Sequence, residues 1–196
     1  KVNPLLSQQD IDRIRDVIEE IRQSTHSAKE DDAMEKLKRI EKMSKSARHI
    51  INDLVFVTLP AQMDLSQLIE EASVLAKGSP SQIAKDLHGR EELGSILVPE
   101  LGFGLLHTKT TGVKKPQVQF LWPDQPYFTQ YENIEVVFVL LMPNETNSYE
   151  QKLLSLISTH MMDDDHLRQA VFAHEERHIQ QVLSSIYLQS IHAEMA

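Results

Sequence analysis

His107 is the residue whose type and setting are best suited to chemistry. It ends an apolar run that contains two glycines, and it is followed by Thr108, Lys109 and Thr110. Near neutral pH a histidine keeps a free ring nitrogen that can act as a nucleophile. Phosphoryl transfer requires mainly positioning and hydrogen-bond donors around the phosphate oxygens. The pattern is therefore compatible with a phosphoryl-accepting histidine, although a histidine that merely ends a strand fits the spacing as well.

Donors for a phosphoryl group stand close to His107 in the sequence. Arg90 can present a fork of N–H groups, and Thr108 and Thr110 can present hydroxyl groups. Because side chains alternate along a strand, we expect one of the two hydroxyls to face away from the site. Taken by itself, Arg90 fits equally well as a cation at the end of a surface helix.

A second motif, His174-Glu175-Glu176-Arg177-His178, matches the HExxH pattern of zinc proteases. Both variable positions carry a charge, and the helical period of the nearby apolar residues would place Glu175 within a buried face. We therefore expect the helix to break near Glu175, which would remove the i, i+4 geometry that zinc needs. No metal site and no cofactor are predicted.

Composition excludes several classes of protein. The 196 residues include no cysteine, and 41% are hydrophobic and 25% charged, which is typical of a folded domain without disulfides. No apolar run approaches the roughly 20 residues of a membrane span. The net charge of −9 argues against direct nucleic-acid binding. We expect a cytoplasmic protein and, because the chain begins with Lys1 rather than methionine, a piece of a longer one.

Residues 1–55 are predicted to form a helical linker, a hairpin of two amphipathic helices. Apolar residues follow helical spacing over residues 5–23 and again over 32–54, with a polar break between them. Basic and acidic side chains balance here, so the net negative charge belongs to the remainder of the chain. The simpler interpretation is a structural linker, and the alternative is a dimerisation element.

Residues 56–196 are predicted to form a domain of the α/β class. Strands are expected near residues 55–60, 101–108, 116–122 and 134–142. Helices are expected near residues 65–76, 80–89, 149–160 and 163–196, with Gly78 ending the first and a capping box at Ser79 starting the second. Helices on both sides of a strand cluster indicate a mixed β-sheet sandwiched by helices.

Several stretches resemble one known family. The segments REELG…GFGLLHTKTTGVKKP and IEVVFVLLMP, followed by a helix with LLSLIS, resemble the type 2 enzyme IIA domain. This is the mannitol/fructose class of the bacterial phosphoenolpyruvate-dependent sugar phosphotransferase system. The resemblance covers residues 56–190, and its most specific part is the arginine–histidine pair. It implies a mixed sheet sandwiched by helices, with His107 phosphorylated and Arg90 as the cation near the phosphate.

The chain departs from the transport members of that family at two positions. Leu106 stands where they usually have proline, and Tyr149 aligns with their second histidine, at the start of the helix after the last central strand. A phenol can donate a hydrogen bond to phosphate but carries no positive charge at neutral pH. The resemblance therefore supports phosphorylation of this chain more strongly than onward transfer.

The forms LLHT and TTGVKKP look closer to IIA-like domains at the C-terminus of mannitol-operon-type transcriptional regulators. The resemblance implies a regulatory domain that receives phosphate on His107 from the carrier protein HPr or from a IIB protein or domain, and that works with the remaining domains of its parent regulator. The alternative is a transport component that passes phosphate from HPr to IIB. A third interpretation is a dimerising scaffold in which His107 is inert.

Overall fold

The computed structural model of the chain describes residues 12, 15, 16, 19, 28–60, 63–94, 96–124 and 134–193. The described residues form five strands, β1 (Val55–Leu59), β2 (Ile96–Val98), β3 (Phe103–Thr110), β4 (Gln117–Pro123) and β5 (Val136–Pro143). Residues 12, 15, 16 and 19 are helical, and the helices whose bounds are described are α1 (Ala28–Asn52), α2 (Leu65–Leu75), α3 (Pro80–Glu91), α4 (Ser148–Asp163), α5 (Asp165–Phe172) and α6 (Glu176–Ala193).

The strands form one mixed sheet in the order β1-β4-β5-β3-β2. Strand β1 runs parallel to β4, and β3 runs parallel to β5, whereas the β4–β5 and β2–β3 pairs are antiparallel. The long central strands β4 and β5 are buried along almost their whole length. Such near-continuous apolar runs are expected when helices cover both faces of a sheet.

Helices cover the two faces of the sheet unequally. On one face, α2 and α3 pack over Leu106, Leu121, Val137 and Val139. On the other face, α1, α4, α5 and α6 pack over Leu105, Val118, Phe120, Phe138 and Leu140. Neighbouring residues of one strand thus serve opposite faces, as strand alternation requires. This architecture confirms the predicted mixed sheet sandwiched by helices.

Capping side chains set where the helices begin. Asp64 and Asn147 each close a capping box with the third residue of α2 and of α4. Pro80 occupies the first turn of α3, as predicted, but the capping box expected at Ser79 is wrong, because the Ser79 side chain makes no cap hydrogen bond. Helix α2 ends at Leu75, and the next residue, Ala76, already has extended backbone two residues before the predicted stop at Gly78.

The helical region after Asp163 breaks where the sequence predicts. Helix α5 ends at Phe172, α6 begins at Glu176, and His174 between them adopts a left-handed φ of 55°. The strand that the sequence analysis missed is β2, which has three residues and pairs only with Phe103–Leu105. A run of that length between Gly94 and Pro99 is too short to show a period.

The second predicted helix of the N-terminal hairpin is present as α1, and its C-terminal half belongs to the core through Met43, Ala47 and Ile50. Most of the first predicted helix lies outside the described residues. Within it, Arg15 is helical and its Nη2 pairs with Glu41 Oε2 at 2.7 Å, which ties that segment to α1. The domain boundary at residue 55 stays a prediction. None of the described helices has both the length and the apolar character that crossing a bilayer would need.

Candidate functional site

The position of His107 follows from the alternation of β3. Phe103 and Leu105 point to the face covered by α1 and α4–α6, where both are buried. His107 is next on that face and is half-buried, and Lys109 after it is exposed. The helical cover therefore ends along this strand at His107. The His107 side chain is therefore neither enclosed in the core nor fully exposed.

The same border is also an edge of the sheet. Strand β2 pairs with β3 only as far as Leu105, so β3 has no β2 partner at His107. On its other side His107 is held by β5, where it pairs in register with Leu140. The backbone of His107 is thus fixed by a central strand, while the side of β3 towards β2 is left for a side chain to approach.

Arg90 is the side chain that approaches there. It lies at the last turn of α3, and the chain then turns through Gly94, whose φ of 125° is a conformation that only glycine adopts readily. Arg90 Nη1 donates a hydrogen bond to the Gly94 carbonyl oxygen at 3.1 Å. Arg90 Nε donates to His107 Nε2 at 3.3 Å. The turn that leads from α3 to β2 therefore holds the guanidinium against the imidazole.

This contact decides which ring nitrogen of His107 carries the lone pair. A guanidinium only donates hydrogen bonds, so Nε2 must accept, and the neutral ring then carries its proton on Nδ1. Nδ1 is buried and has no hydrogen-bond partner among the described residues. Burial, and secondarily the positive charge of Arg90, lower the pKa of His107 below the ordinary 6.5. The neutral imidazole, with its nucleophilic nitrogen at Nε2, is therefore favoured.

The two threonines lie elsewhere. Thr108 and Thr110 both point to the α3 face of the sheet, opposite to His107, and both are buried. Thr108 Oγ1 donates to the Asp86 carbonyl oxygen at 3.3 Å, and Thr110 Oγ1 accepts from the Gly112 backbone N–H at 2.8 Å. The expectation that one of the two hydroxyls would face the site is wrong, because residues two apart on a strand share a face. Their geometry gives no support to a role around a phosphate on His107.

Tyr149 lies on the same face of the sheet as His107. It is the second residue of α4, is half-buried, and packs at the edge of the apolar cluster beneath α1. It also lines a cleft with Lys42, His49 and Lys115. His88 is turned away from His107, with Nε2 at 3.5 Å from Glu70 Oε1.

Two features of this region were not predicted from the sequence. One is the Gly94 carbonyl group, which anchors Arg90; a glycine four residues after the arginine is too common a signal to single out. The other is the cleft beside Tyr149, whose basic side chains come from segments far apart in the chain. The helical spacing of Lys42, Lys45 and His49 is the one sign of it that the sequence carries.

The HExxH string does not form a zinc-protease helix. His174 stands in the break before α6 and stacks on Trp122, with 4.5 Å between the ring centroids. His178 lies in α6, and its Nδ1 is 3.0 Å from Glu175 Oε2. The two histidines are therefore not paired one turn apart on a continuous helix. Among the described residues, no cluster of three or more histidine, aspartate or glutamate side chains is arranged to hold a metal ion.

Comparisons with known proteins give a family and a shared fold. Residues 49–186 match the family described as phosphoenolpyruvate-dependent sugar phosphotransferase system, EIIA 2. Among solved structures, the nitrogen regulatory protein IIA-Ntr from Neisseria meningitidis is similar, with a TM-score of 0.54 and 20% sequence identity. That similarity covers 68% of this chain and 98% of the other and shows a shared fold. Comparison with curated proteins gives no significant match.

Proposed function

Because the chain belongs to the EIIA type 2 family of the phosphoenolpyruvate-dependent sugar phosphotransferase system, we propose that it accepts a phosphoryl group on His107 and serves as a regulatory domain. One observation carries the proposal: Arg90 Nε meets His107 Nε2 at 3.3 Å at the open edge of the sheet. An imidazole lone pair and a cation with several donors then share one accessible point. A histidine that merely ended a strand would not need a guanidinium anchored beside it.

The transfer step follows from this arrangement. The donor is a phosphohistidine of a partner protein, HPr or a IIB protein or domain. Arg90 releases its hydrogen bond to Nε2, and the Nε2 lone pair forms a bond to phosphorus while the phosphorus–nitrogen bond of the donor breaks. The donor ring keeps that electron pair and takes up a proton, and His107 gives up its Nδ1 proton, so that both rings end neutral. Arg90 stays beside the transferred group and stabilises the charge on its oxygens. The protein supplies position and electrostatic stabilisation, which is most of what phosphoryl transfer requires.

A regulatory role is favoured over a transport role by Tyr149. A transport component must pass its phosphate on, and the position that aligns with the second histidine of transport members carries an uncharged phenol. Phosphorylation would add about 1.5 to 2 negative charges, by analogy with phosphoserine, to a chain whose net charge is already −9. Such a domain would repel an acidic neighbour or recruit a basic one within a parent sugar-operon regulator.

Phosphorylation is tested by intact mass after incubation with phosphoenolpyruvate, enzyme I and HPr. We expect one phosphoryl adduct on the wild-type chain and none on His107→Ala. The His88→Ala variant is the matched control, because His88 lies near the end of the same helix as Arg90 and faces Glu70; it should accept phosphate normally. An adduct that persists in His107→Ala, or no adduct on the wild type, would refute the proposal.

The alternative, a transport component that passes phosphate from HPr to IIB, makes a different prediction. A cognate IIB protein would then become phosphorylated, and sugar phosphate would accumulate. We expect little onward transfer from the wild type and more from Tyr149→His, since that change restores a side chain that can be charged. Rapid transfer from the wild type would favour the transport role instead.

The regulatory role itself is tested in the parent regulator. His107→Asp imitates a permanent negative charge, whereas His107→Ala imitates the unphosphorylated state. We expect the two variants to respond differently to the inducing sugar. Identical responses would show that phosphate on His107 carries no signal.

Homodimerisation through the N-terminal helices remains part of the proposal. The contact between Arg15 and Glu41 supports a hairpin that is held against α1. Light scattering would compare the molar mass in solution of the whole chain with that of a variant shortened to residues 28–196. A monomer in both cases would remove dimerisation from the proposal.

A further inference from the structure

A cleft of about 440 Å³ lies between α1, the connection from β3 to β4, and the start of α4. Its basic side chains come from two of these walls. Lys42, Lys45 and His49 are three and four residues apart on α1 and therefore share one face of that helix, and Lys115 comes from the connection opposite. His107 and Arg90 are not among the residues that line it.

The charge of the cleft contrasts with that of the whole chain. Lys42, Lys45 and Lys115 have no carboxylate partner within the part of the chain that the structure describes. The carboxylate in the lining, Glu150, accepts a hydrogen bond from the Asn147 backbone N–H within the capping box of α4. These three ammonium groups, unpaired among the described residues, thus converge on one concavity of a protein whose net charge is −9. Such an arrangement is stabilised when an anion binds among them.

The start of α4 adds to the positive electrostatic potential of the cleft. Asn147 and Tyr149 stand at its first turn, and the positive end of a 16-residue helix dipole points to this side. Between the cations the walls offer hydroxyl and amide groups from Ser46, Tyr149 and Asn147 above an apolar base that includes Ile50. The volume falls within the roughly 300–1,000 Å³ typical of small-molecule sites. The lining therefore suits a small molecule with anionic ends and hydroxyl groups between them.

We propose that this cleft binds a small phosphate ester bearing hydroxyl groups, of which a sugar bisphosphate is the simplest example. Lys42 and Lys45 on α1 hold one phosphate group, and Lys115 with the first turn of α4 holds the other. Tyr149 and Asn147 face the hydroxyl groups of the ligand. The cleft shares Tyr149 with the argument about onward transfer but uses neither His107 nor Arg90, so ligand binding can be tested separately from phosphorylation at His107.

The test is isothermal titration of the whole chain with a hexose bisphosphate, the corresponding hexose monophosphate, the free hexose and inorganic phosphate. We expect saturable binding of the bisphosphate, weaker binding of the monophosphate and of inorganic phosphate, and none of the free hexose. In the double variant Lys45→Gln/Lys115→Gln, we expect the dissociation constant to rise about tenfold for each charge-assisted hydrogen bond that is lost. Both lysines are exposed, so circular dichroism and the melting temperature should not change.

Two controls give the test its specificity. Lys85→Gln removes the same charge from an exposed position on α3, across the sheet, and should bind the bisphosphate as the wild type does. His107→Ala should also bind it, although it cannot accept a phosphoryl group. No saturable binding to the wild type, equal loss with Lys85→Gln, unchanged affinity in the double variant, or loss with His107→Ala would each overturn the proposal.

Discussion

Arg90 donates its Nε–H to His107 Nε2, and the same guanidinium is anchored through Nη1 to the carbonyl oxygen of Gly94. One side chain thus joins the end of α3, the turn that follows it, and the part of strand β3 that extends beyond its pairing with β2. The contact keeps Nε2 unprotonated, and it places a positive charge where a transferred phosphoryl group would lie. Under the proposed function, Arg90 would act on the histidine before phosphorylation and on the phosphate after it.

The first prediction concerns the pKa of His107 and its dependence on Arg90. In Arg90→Gln, the pKa of His107 should rise towards the ordinary 6.5, but not reach it, because burial, the larger cause of the lowered value, remains. The measurement is an NMR titration of the His107 ring in both proteins. Lys85→Gln, with the same loss of charge far from the site, should leave the His107 titration unchanged. A wild-type His107 that titrates at or above 6.5 would contradict the structure.

The same lowered pKa has a consequence for stability. The unfolded chain binds the His107 proton more readily than the folded chain does, so acid favours unfolding. The stability due to the neutral imidazole is fully present above pH 6.5 and is lost as the pH falls through the lower, folded pKa. Urea unfolding over this range should show a smaller acid-dependent loss for His107→Gln than for the wild type. Parallel losses would show that His107 titrates alike in both states.

The second prediction concerns which nitrogen of His107 is phosphorylated. The lone pair lies on Nε2, facing Arg90, whereas Nδ1 is buried. We therefore expect the phosphoryl group on Nε2, and nitrogen and phosphorus NMR distinguish the two isomers of phosphohistidine. In Arg90→Gln, acceptance should slow by about a hundredfold, the usual effect of losing one donor to a developing charge. A product bonded through Nδ1 would require a different ring orientation from the one observed.

The spacing of apolar residues in the sequence was sufficient to predict most of the fold. The apolar run of β5 and the helical spacing of α2 and α4 are long enough to identify each element, and proline fixed the start of α3. What periodicity could not supply was β2, because three residues do not establish a pattern. The predicted capping box at Ser79 was also wrong, because a serine before a helix is compatible with a side-chain cap but does not require one.

The site could be predicted less completely than the fold. His107 and Arg90 were identified from their residue types together with a resemblance to a known family, and the structure brings their side chains together. Thr108 and Thr110 were assigned to the site because they are close to His107 in sequence, yet a strand sends neighbouring residues to opposite faces. The contact of Arg90 with Gly94 depends on a turn whose one signature in the sequence, a glycine, is too common to single out.

The third prediction compares two buried glutamines of β4. Gln117 forms hydrogen bonds with both backbone polar groups of Lys77, since its Nε2 donates to the Lys77 carbonyl oxygen and its Oε1 accepts from the Lys77 N–H. Gln119 donates to the Ala72 carbonyl oxygen, but its own Oε1 has no partner among the described residues. Both contacts hold the C-terminal end of α2 against the sheet.

Gln117→Leu should therefore destabilise the protein more than Gln119→Leu. The first change leaves the N–H and the carbonyl oxygen of Lys77 without their hydrogen-bond partner. Each of these groups that stays buried should lower the free energy of unfolding by about 1–3 kcal/mol. The second leaves one carbonyl oxygen unpaired but also removes an unpaired side-chain oxygen, so the two effects partly offset. Urea denaturation measures both. Equal losses, or a greater loss for Gln119→Leu, would show that these hydrogen bonds do not decide the stability of this region.

The last prediction compares two glycines. Gly78 lies where the segment after α2 crosses the β3–β4 connection, and a Cβ atom there would stand 2.0 Å from the Gly112 carbonyl oxygen. That oxygen also accepts the Ser79 N–H at 2.8 Å, so the two backbones cannot separate without losing the bond. Gly78→Ala should destabilise the protein by about 1–3 kcal/mol, as overpacking does.

Gly89, within α3, has open space around its Cα, and Gly89→Ala should stabilise the protein by about 0.5–1 kcal/mol through helix propensity. Melting temperatures of the two variants should therefore move in opposite directions, and a tolerated Gly78→Ala would mean that the two backbones are farther apart than the structure shows.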